Sequence, residues 1–196
     1  MANGKIRVAI AAWVSDATSA ETTYGHISTW DTSGVTDMSA LFEDASSFND
    51  DIGAWDVSGV TTMYDMFFGA SSFNRDIGEW RVESVTDMRY MFEDAFAFNR
   101  PIGNWDVSNV KDMYGMFDWA FAFNQPIGSW DISGVTRLEE MFEGARSFNQ
   151  SLNDWDISNV GDMSWMFEAA VSFNQPLNAW NLASVTMMDG MFENAT

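Results

Sequence analysis

Cysteine, histidine and proline are nearly absent from the chain, which has no cysteine, one histidine and 3 prolines in 196 residues. A chain without cysteine has no disulfide framework. The lone His26 leaves serine- or cysteine-based hydrolysis with no other histidine base. The sequence also contains neither a cysteine–histidine zinc motif nor a glycine-rich phosphate loop. We therefore predict that the protein is not an enzyme and uses no cofactor.

Positive charge is also scarce, because 9 lysines and arginines stand against 29 aspartates and glutamates, for a net charge of −20. Such a field repels phosphate backbones and anionic lipids, so we expect no nucleic acid binding and no direct membrane insertion. The apolar run over residues 8–14 is too short to span a bilayer. An acidic surface is suited to basic partners or bound cations, or simply provides solubility.

A unit of 25 residues recurs along most of the chain, and its period is marked by Trp30, Trp55, Trp80, Trp105, Trp130, Trp155 and Trp180. Self-similarity at a fixed period of this length is typical of repeat proteins, whose units bury a core only by stacking. We predict a capping helix and a linker in residues 1–23, with the helix from Lys5 to about Val14. Residues 24–196 are predicted to form a seven-repeat solenoid.

Two hydrophobic rhythms alternate inside each repeat. In residues 52–58, Trp55 and Val57 alternate with polar or small residues, which predicts a short strand. The next apolar positions have the spacing of a two-turn helix: Met63, Met66, Phe67 and Ala70. Strands one repeat apart would pair in parallel. The predicted fold is an α/β, right-handed β/α solenoid, with a parallel sheet on one face, short helices opposite and an N-terminal helical cap.

Two recurring columns are predicted to be structural. The first is the tryptophan column, which includes Trp55, Trp80, Trp105, Trp130 and Trp155. The second is an asparagine column, whose amides can satisfy backbone groups of neighbouring repeats. Its members include Asn49, Asn74, Asn99, Asn124 and Asn149.

Residues 98–120 are one copy of a repeat whose general pattern is F-N-x-x-I-G-x-W-D-V-S-x-V-T-D-M-x-x-M-F-x-x-A, with Lys111 at the threonine position of this copy. This pattern resembles the repeat of mycoplasma-type surface lipoproteins, a domain family of unknown function that is similar to BspA-type leucine-rich-repeat proteins. The resemblance implies a leucine-rich-repeat-like solenoid and a cell-surface or secreted adhesion role. Because the last repeat stops at Thr196 without a cap, we expect the chain to be a fragment of a longer one.

An acidic column is predicted on the outward face of the strands. It contains Asp56, Asp106, Asp131 and Asp156, with Arg81 at the equivalent position of one repeat. Our preferred interpretation is an Asx-type bond from each aspartate to the nearby serine, for example from Asp56 to Ser58. The alternative is binding of a hard cation such as calcium by Asp106, Asp131 and Asp156. Arg81 is expected to pair with neighbouring acids or to contact a partner.

Aromatic residues that break the repeat pattern form a second candidate surface. These residues are Tyr90, Phe96, Tyr114, Trp119 and Phe121. A surface cluster of this kind indicates a contact site or lateral self-association, and packing within the helical layer is the equal alternative.

The sequence therefore predicts a protein-binding or adhesion module that uses the extended acidic face. The alternative is a structural, self-associating surface component, and a carbohydrate-binding module comes third. The predicted partner is a protein ligand or a second copy of the chain.

Overall fold

The computed structural model describes residues 1–195, so Thr196, the last residue of the predicted solenoid, lies outside the described residues. Two α-helices open the chain: α1 spans Asn3–Ser15 and α2 spans Ala17–Tyr24. Two single-turn 3₁₀ helices follow, Ile27–Thr29 and Leu182–Ser184. Among residues 1–195, none of the helices combines the length and the hydropathy that a membrane span requires.

The predicted parallel sheet is wrong, because residues 1–195 contain only isolated parallel bridges, one per repeat. The bridges join Asp37 to Thr62, Thr62 to Asp87, Asp87 to Asp112, Asp112 to Arg137, Arg137 to Asp162 and Asp162 to Met187. Where a strand was expected, the backbone makes two tight turns, with Trp55 N–H donating to Ile52 O at 3.1 Å and Val60 N–H to Val57 O at 2.9 Å. The burial of alternate residues arises from these turns and not from a pleated strand.

The predicted short helices are also wrong, although the side chains that define them are buried. Backbone N–H groups alternate between two kinds of partner: Met66 donates to Met63 O at 3.1 Å in its own repeat, while Phe67 donates to Met91 O at 3.0 Å in the next. Asp65 and Gly69 also have left-handed φ values of 53° and 66°. An α-helix needs right-handed residues and consecutive bonds to the fourth residue back. The segment is therefore a series of turns, and the β/α solenoid is not formed.

The repeats nevertheless lie one on another, as their aromatic contacts show. Phe67 stacks on Phe92 of the next repeat at 5.5 Å between ring centroids, and Phe73 stacks on Phe98 at 6.0 Å. Within one repeat, Phe67 and Phe73 are 4.0 Å apart. All four rings are completely buried. These contacts form one continuous core along the repeats, to which each phenylalanine contributes its large apolar surface.

Polar side chains tie consecutive repeats together. The indole N–H of Trp80 donates to Ile52 O in the preceding repeat. The equivalent tryptophans of other repeats make the same bond, namely Trp55, Trp105, Trp130 and Trp155. The Oδ1 atom of Asn74 accepts from Asn99 N–H at 3.1 Å. Equivalent bonds link Asn49 to Asn74, Asn99 to Asn124, Asn124 to Asn149 and Asn149 to Asn174. The predicted backbone-satisfying role of the asparagines is confirmed.

The predicted N-terminal helix is confirmed as α1, which buries Ile6, Ile10 and Trp13 against the first repeat. The Trp13 indole N–H donates to Asp50 at 2.8 Å, which also anchors the helix to the start of the second repeat. The expected linker differs in the structure, because most of it forms α2. Asp16 caps α2 by accepting from Ser19 N–H at 3.1 Å.

Candidate functional site

The acidic column lies on exposed turns, not on the predicted strand face. Asp56 Oδ1 accepts from Ser58 N–H at 3.0 Å and from Ser58 Oγ at 2.6 Å. Asp106 makes the same two bonds to Ser108, at 3.1 Å and 2.6 Å. The predicted Asx-type bonds are therefore confirmed, and they hold each carboxylate in a fixed direction.

The serine bonds keep the carboxylates of this column ionised. The hydrogen bonds from Ser58 lower the pKa of Asp56, and those from Ser108 lower the pKa of Asp106. The pKa values of Asp131 and Asp156 are lowered in the same way by Ser133 and Ser158. Hydrogen bonds that favour the charged form depress the pKa of a carboxyl group. Because all four side chains are exposed, water screens their mutual repulsion.

Arg81 interrupts the column of carboxylates with a positive charge. Its Nη2 donates to Glu83 at 2.6 Å, and 74% of its side chain is exposed. The predicted pairing with a neighbouring acid is confirmed for Glu83. An exposed pair of this kind contributes little to stability, so the guanidinium remains accessible to other molecules.

The structure brings the off-period aromatic residues together in two groups. In the first, Tyr90 and Tyr114 lie 4.5 Å apart between ring centroids. In the second, Phe96 stacks on Phe121 at 4.7 Å, and Trp119 meets Phe121 edge-on at 5.7 Å. Phe96 is 41% exposed, whereas the other four are partly buried. Packing along the repeats therefore accounts for part of this set, and Phe96 presents the most open ring.

Arginine side chains cover part of both aromatic groups. The Arg137 guanidinium lies 4.4 Å from the centroid of the Tyr114 ring, and that of Arg146 lies 4.7 Å from the centroid of Phe121. A cation over an aromatic face is favourable and also shields the ring from water. These contacts give the patch a mixed apolar and basic character on an otherwise acidic chain.

The structure contains a second group of acidic residues that was not predicted from the sequence. One carboxylate oxygen from each of Asp118, Glu140 and Glu143 lies within 4.8 Å of the other two. The signal was a column of acids one repeat apart, Glu93, Asp118, Glu143 and Glu168, which lies inside the segments that were assigned as helices. Two carboxylates at this separation repel by about 3 kcal/mol at an effective dielectric near 20.

Asp118 is the least exposed member of this acidic cluster, which we define as Asp118, Glu140 and Glu143. Only 7% of its surface is exposed, and within residues 1–195 its Oδ1 has no hydrogen-bond partner. Burial, reinforced by the charge of Glu143, raises the pKa of Asp118 to about 9. Burial also raises the pKa of Glu143 to about 7, with Glu168 adding to the effect.

His26 is used as a local cap in this structure. Its Nδ1 lies 2.8 Å from Ser28 Oγ and accepts from Ser28 N–H at the start of the 3₁₀ helix Ile27–Thr29. Its ring also packs edge-on against Trp13. These contacts explain the histidine by local structure, and the absence of catalysis stays a prediction.

An apolar groove of about 590 Å³ lies in the last repeat. Exposed large side chains line it, namely Leu182, Met188 and Phe192, each between 45% and 49% exposed. The Phe192 ring stacks on Phe167 on its inner side, at 5.5 Å. The groove therefore continues the interior column of the preceding repeats at an open face.

The sequence was also compared with known proteins. The family model described as "Mycoplasma protein of unknown function, DUF285" matches residues 10–125 and, a second time, residues 98–196. No curated protein and no solved structure matches the chain.

Proposed function

Because the chain belongs to the DUF285 family of Mycoplasma proteins of unknown function, its role must be inferred from its own surface, and we propose that it is a non-enzymatic protein-binding module. The observation that carries this proposal is the column of exposed, ionised carboxylates at Asp56, Asp106, Asp131 and Asp156, each oriented by a serine. A regular row of oriented negative charges is complementary to a basic protein surface.

The proposed partner is a protein with regularly spaced lysines or arginines. The carboxylates repeat with the repeats of the chain, so a partner can gain several contacts at once along the column. Because each serine bond fixes its carboxylate before binding, little side-chain entropy remains to be lost on association. The resemblance of the repeat to BspA-type proteins supports a further part of this proposal, which is an adhesion role at the cell surface or as a secreted protein.

The test is binding of a defined lysine- and arginine-rich peptide to the immobilised chain at increasing salt. The variant combines Asp106→Asn, Asp131→Asn and Asp156→Asn. Asparagine preserves the turn, because Asn181 already occupies the equivalent position and accepts from Ala183 N–H at 3.1 Å. We expect weaker binding and a smaller salt dependence than for the original chain.

A matched control removes the same number of charges elsewhere, through Glu21→Gln, Asp44→Asn and Asp189→Asn. All three positions are exposed and lie outside the acidic column. Asp44 has a left-handed φ of 55°, which asparagine tolerates. Equal loss of binding in both variants would mean that net charge alone attracts the peptide, and the proposal would then be abandoned.

Self-association is the second candidate function, and the aromatic patch favours it, because Phe96 is 41% exposed and stacks on Phe121 at 4.7 Å. Burying an exposed apolar side chain of this kind drives association. Sedimentation velocity over a range of concentrations tests this function, with Phe192→Ser at the groove and Phe96→Ser at the aromatic patch. A concentration-independent monomer would reject it. If dimers form, the variant that dissociates them identifies the surface involved.

A further inference from the structure

The acidic cluster of Asp118, Glu140 and Glu143 is a feature that protein binding by the exposed column does not use. It lies on different repeat positions, and its carboxylates are partly or almost fully buried. By contrast, the column residues are exposed and bonded to serines. The cluster therefore needs its own explanation.

The chain itself supplies little positive charge to this cluster. The ion pairs within residues 1–195 involve Arg7, Arg81, Arg89 and Arg137, and none of them joins Asp118, Glu140 or Glu143. Arg137 and Arg146 are equally near to the cluster in sequence, but Arg137 donates to Glu139 at 2.7 Å and to Asp112 at 3.4 Å. The Arg146 guanidinium lies over the Phe121 ring, 4.7 Å from its centroid. Three carboxylates thus converge without a side-chain cation between them.

A second observation points to a ligand. Asp118 is more than nine-tenths buried, with 7% exposure, and its Oδ1 accepts no hydrogen bond in the described part of the chain. That side chain reaches the oxygens of Glu140 and Glu143 within 4.8 Å. A buried carboxylate oxygen normally has a hydrogen-bond donor or a metal ion as its partner. An unpartnered oxygen on a buried side chain that also lies within 4.8 Å of two further carboxylates is suited to a cation.

We propose that Asp118, Glu140 and Glu143 together form a binding site for one divalent cation of the calcium class. Calcium takes carboxylate oxygens at about 2.3–2.6 Å, so opposite ligands of one ion are about 4.6–5.2 Å apart. Three oxygens that all lie within 4.8 Å of one another can therefore reach a single ion. Bidentate glutamates and water would complete the coordination.

The other repeats explain why the site occurs where it does. Three repeats earlier, the equivalent positions are Glu43, Asp65 and Phe68. We call each such set of three equivalent positions a rung. In the earlier rung Phe68 stands where Glu143 does, so only two of the three acids are present. Glu93 and Glu168 lie on either side of the cluster in the same column and add negative charge that attracts a cation. The site is thus a local product of sequence differences between repeats.

The experiment uses the whole chain, stripped of metal with a chelator and returned to chelator-free buffer. Terbium(III) replaces calcium at oxygen sites, and its luminescence is excited by energy transfer from a nearby indole. Trp119 directly follows Asp118, so a terbium ion at the cluster should luminesce on excitation of tryptophan. We expect saturation at one ion per chain, displacement by calcium, and heat on titration of calcium in calorimetry.

The variants are Asp118→Asn and Glu140→Gln, each of which removes one proposed ligand with little change in shape. We expect each variant to bind calcium at least about tenfold more weakly, since even loss of an outer-shell partner lowers metal affinity by about 10–100-fold. Asp65→Asn is the matched control, because it removes an acid from the incomplete rung, and it should leave the affinity within about twofold. Calcium should raise the melting temperature of the original chain and not that of Asp118→Asn.

Several results would overturn the proposal. One is terbium luminescence that does not saturate or that calcium does not reduce, which would indicate ions bound at many places on an acidic surface. Another is an equal loss of calcium affinity in Asp65→Asn and Asp118→Asn. Should Asp118→Asn fail to fold, Glu140→Gln at a half-buried position carries the same comparison.

Discussion

The indole N–H of Trp105 donates to the backbone carbonyl of Ile77 at 3.1 Å, and Ile77 belongs to the preceding repeat. Trp105 is nearly fully buried, so this bond and the ring itself both contribute to the contact between repeats. The same bond from each interior tryptophan joins the repeats without any sheet. The tryptophan that marks the 25-residue period in the sequence is therefore also the residue that links neighbouring repeats in the structure.

The first prediction is that Trp105→Phe destabilises the chain by about 1–3 kcal/mol. The substitution leaves Ile77 O without its buried donor and removes part of a packed ring. Urea denaturation followed by circular dichroism measures the change. Trp165→Phe is the control, because Trp165 is 36% exposed and we expect its replacement to stay within about 0.5 kcal/mol. Similar losses for both variants would contradict the proposed role of the indole bond.

The second prediction concerns Asn99, whose Oδ1 accepts from Asn124 N–H at 3.0 Å and from Gln125 Nε2 at 2.7 Å. Asn99→Leu removes this acceptor and strands a backbone donor between repeats, which should cost about 1–3 kcal/mol. Asn99→Asp retains an acceptor oxygen and should lose less. Thermal and urea unfolding of both variants give the comparison, and an unchanged stability of the leucine variant would reject the structural role of the column.

Burial could be predicted from the sequence much better than backbone conformation. The positions Met63, Met66, Phe67 and Ala70 were predicted to share an apolar face, and all of them are buried. The same spacing also arises when every second N–H bonds to the next repeat and left-handed residues turn the chain between them. Hydrophobic periodicity reports which side chains face the core, and it does not distinguish this pattern of turns from a helix.

Left-handed positions were the features that sequence reasoning lacked. They include ordinary residues such as Asp65, Tyr90, Glu140 and Trp165, with φ between 53° and 56°. Left-handed backbone is unfavourable for residues with a side chain, so glycine would be the expected signal. Here stacking on the neighbouring repeat supplies the missing stabilisation, and within the repeats of residues 1–195 glycine occupies such positions at Gly69, Gly115, Gly144 and Gly190.

Part of the candidate site followed from local chemistry, and the rest depended on stacking. The bond from Asp106 to Ser108 was predictable, because it spans two residues of one turn. The acidic cluster joins Asp118 to Glu140 and Glu143, which are more than twenty residues away in the chain. Its recognition requires the register between repeats, and an incorrect helix assignment obscured that register.

The third prediction is that Ser108→Ala raises the pKa of Asp106 towards the ordinary value of an aspartate. The Ser108 hydroxyl bond is the largest cause of the lowered pKa, and the backbone bond of the same residue remains in the variant. A carbon-13 NMR titration of the carboxyl group measures the shift. Ser129→Ala, at an exposed serine whose Oγ bonds to Gly103 O, is the control and should leave this pKa in place. An unchanged pKa in Ser108→Ala would contradict the assignment.

The same bond sets the sign of a pH effect on folding. The pKa of Asp106 in the folded chain lies below its unfolded value, so its contribution to stability is present above the unfolded pKa. That contribution is lost as the pH falls through the folded pKa. Ser108→Ala should therefore narrow the stability difference between neutral and acidic pH, which urea denaturation at several pH values can detect.

The last prediction is that Gly53→Ala and Gly4→Ala change stability in opposite directions. A Cβ at Gly53 would lie 2.7 Å from the backbone oxygen of Asp76 in the next repeat, too close for that repeat to keep its place. A Cβ at Gly4 in α1 would meet nothing within 4 Å, and alanine favours a helix over glycine by up to about 1 kcal/mol. We expect a lower melting temperature for Gly53→Ala and a higher one for Gly4→Ala. A stable Gly53→Ala variant would show that the repeats are spaced more loosely than the structure has them.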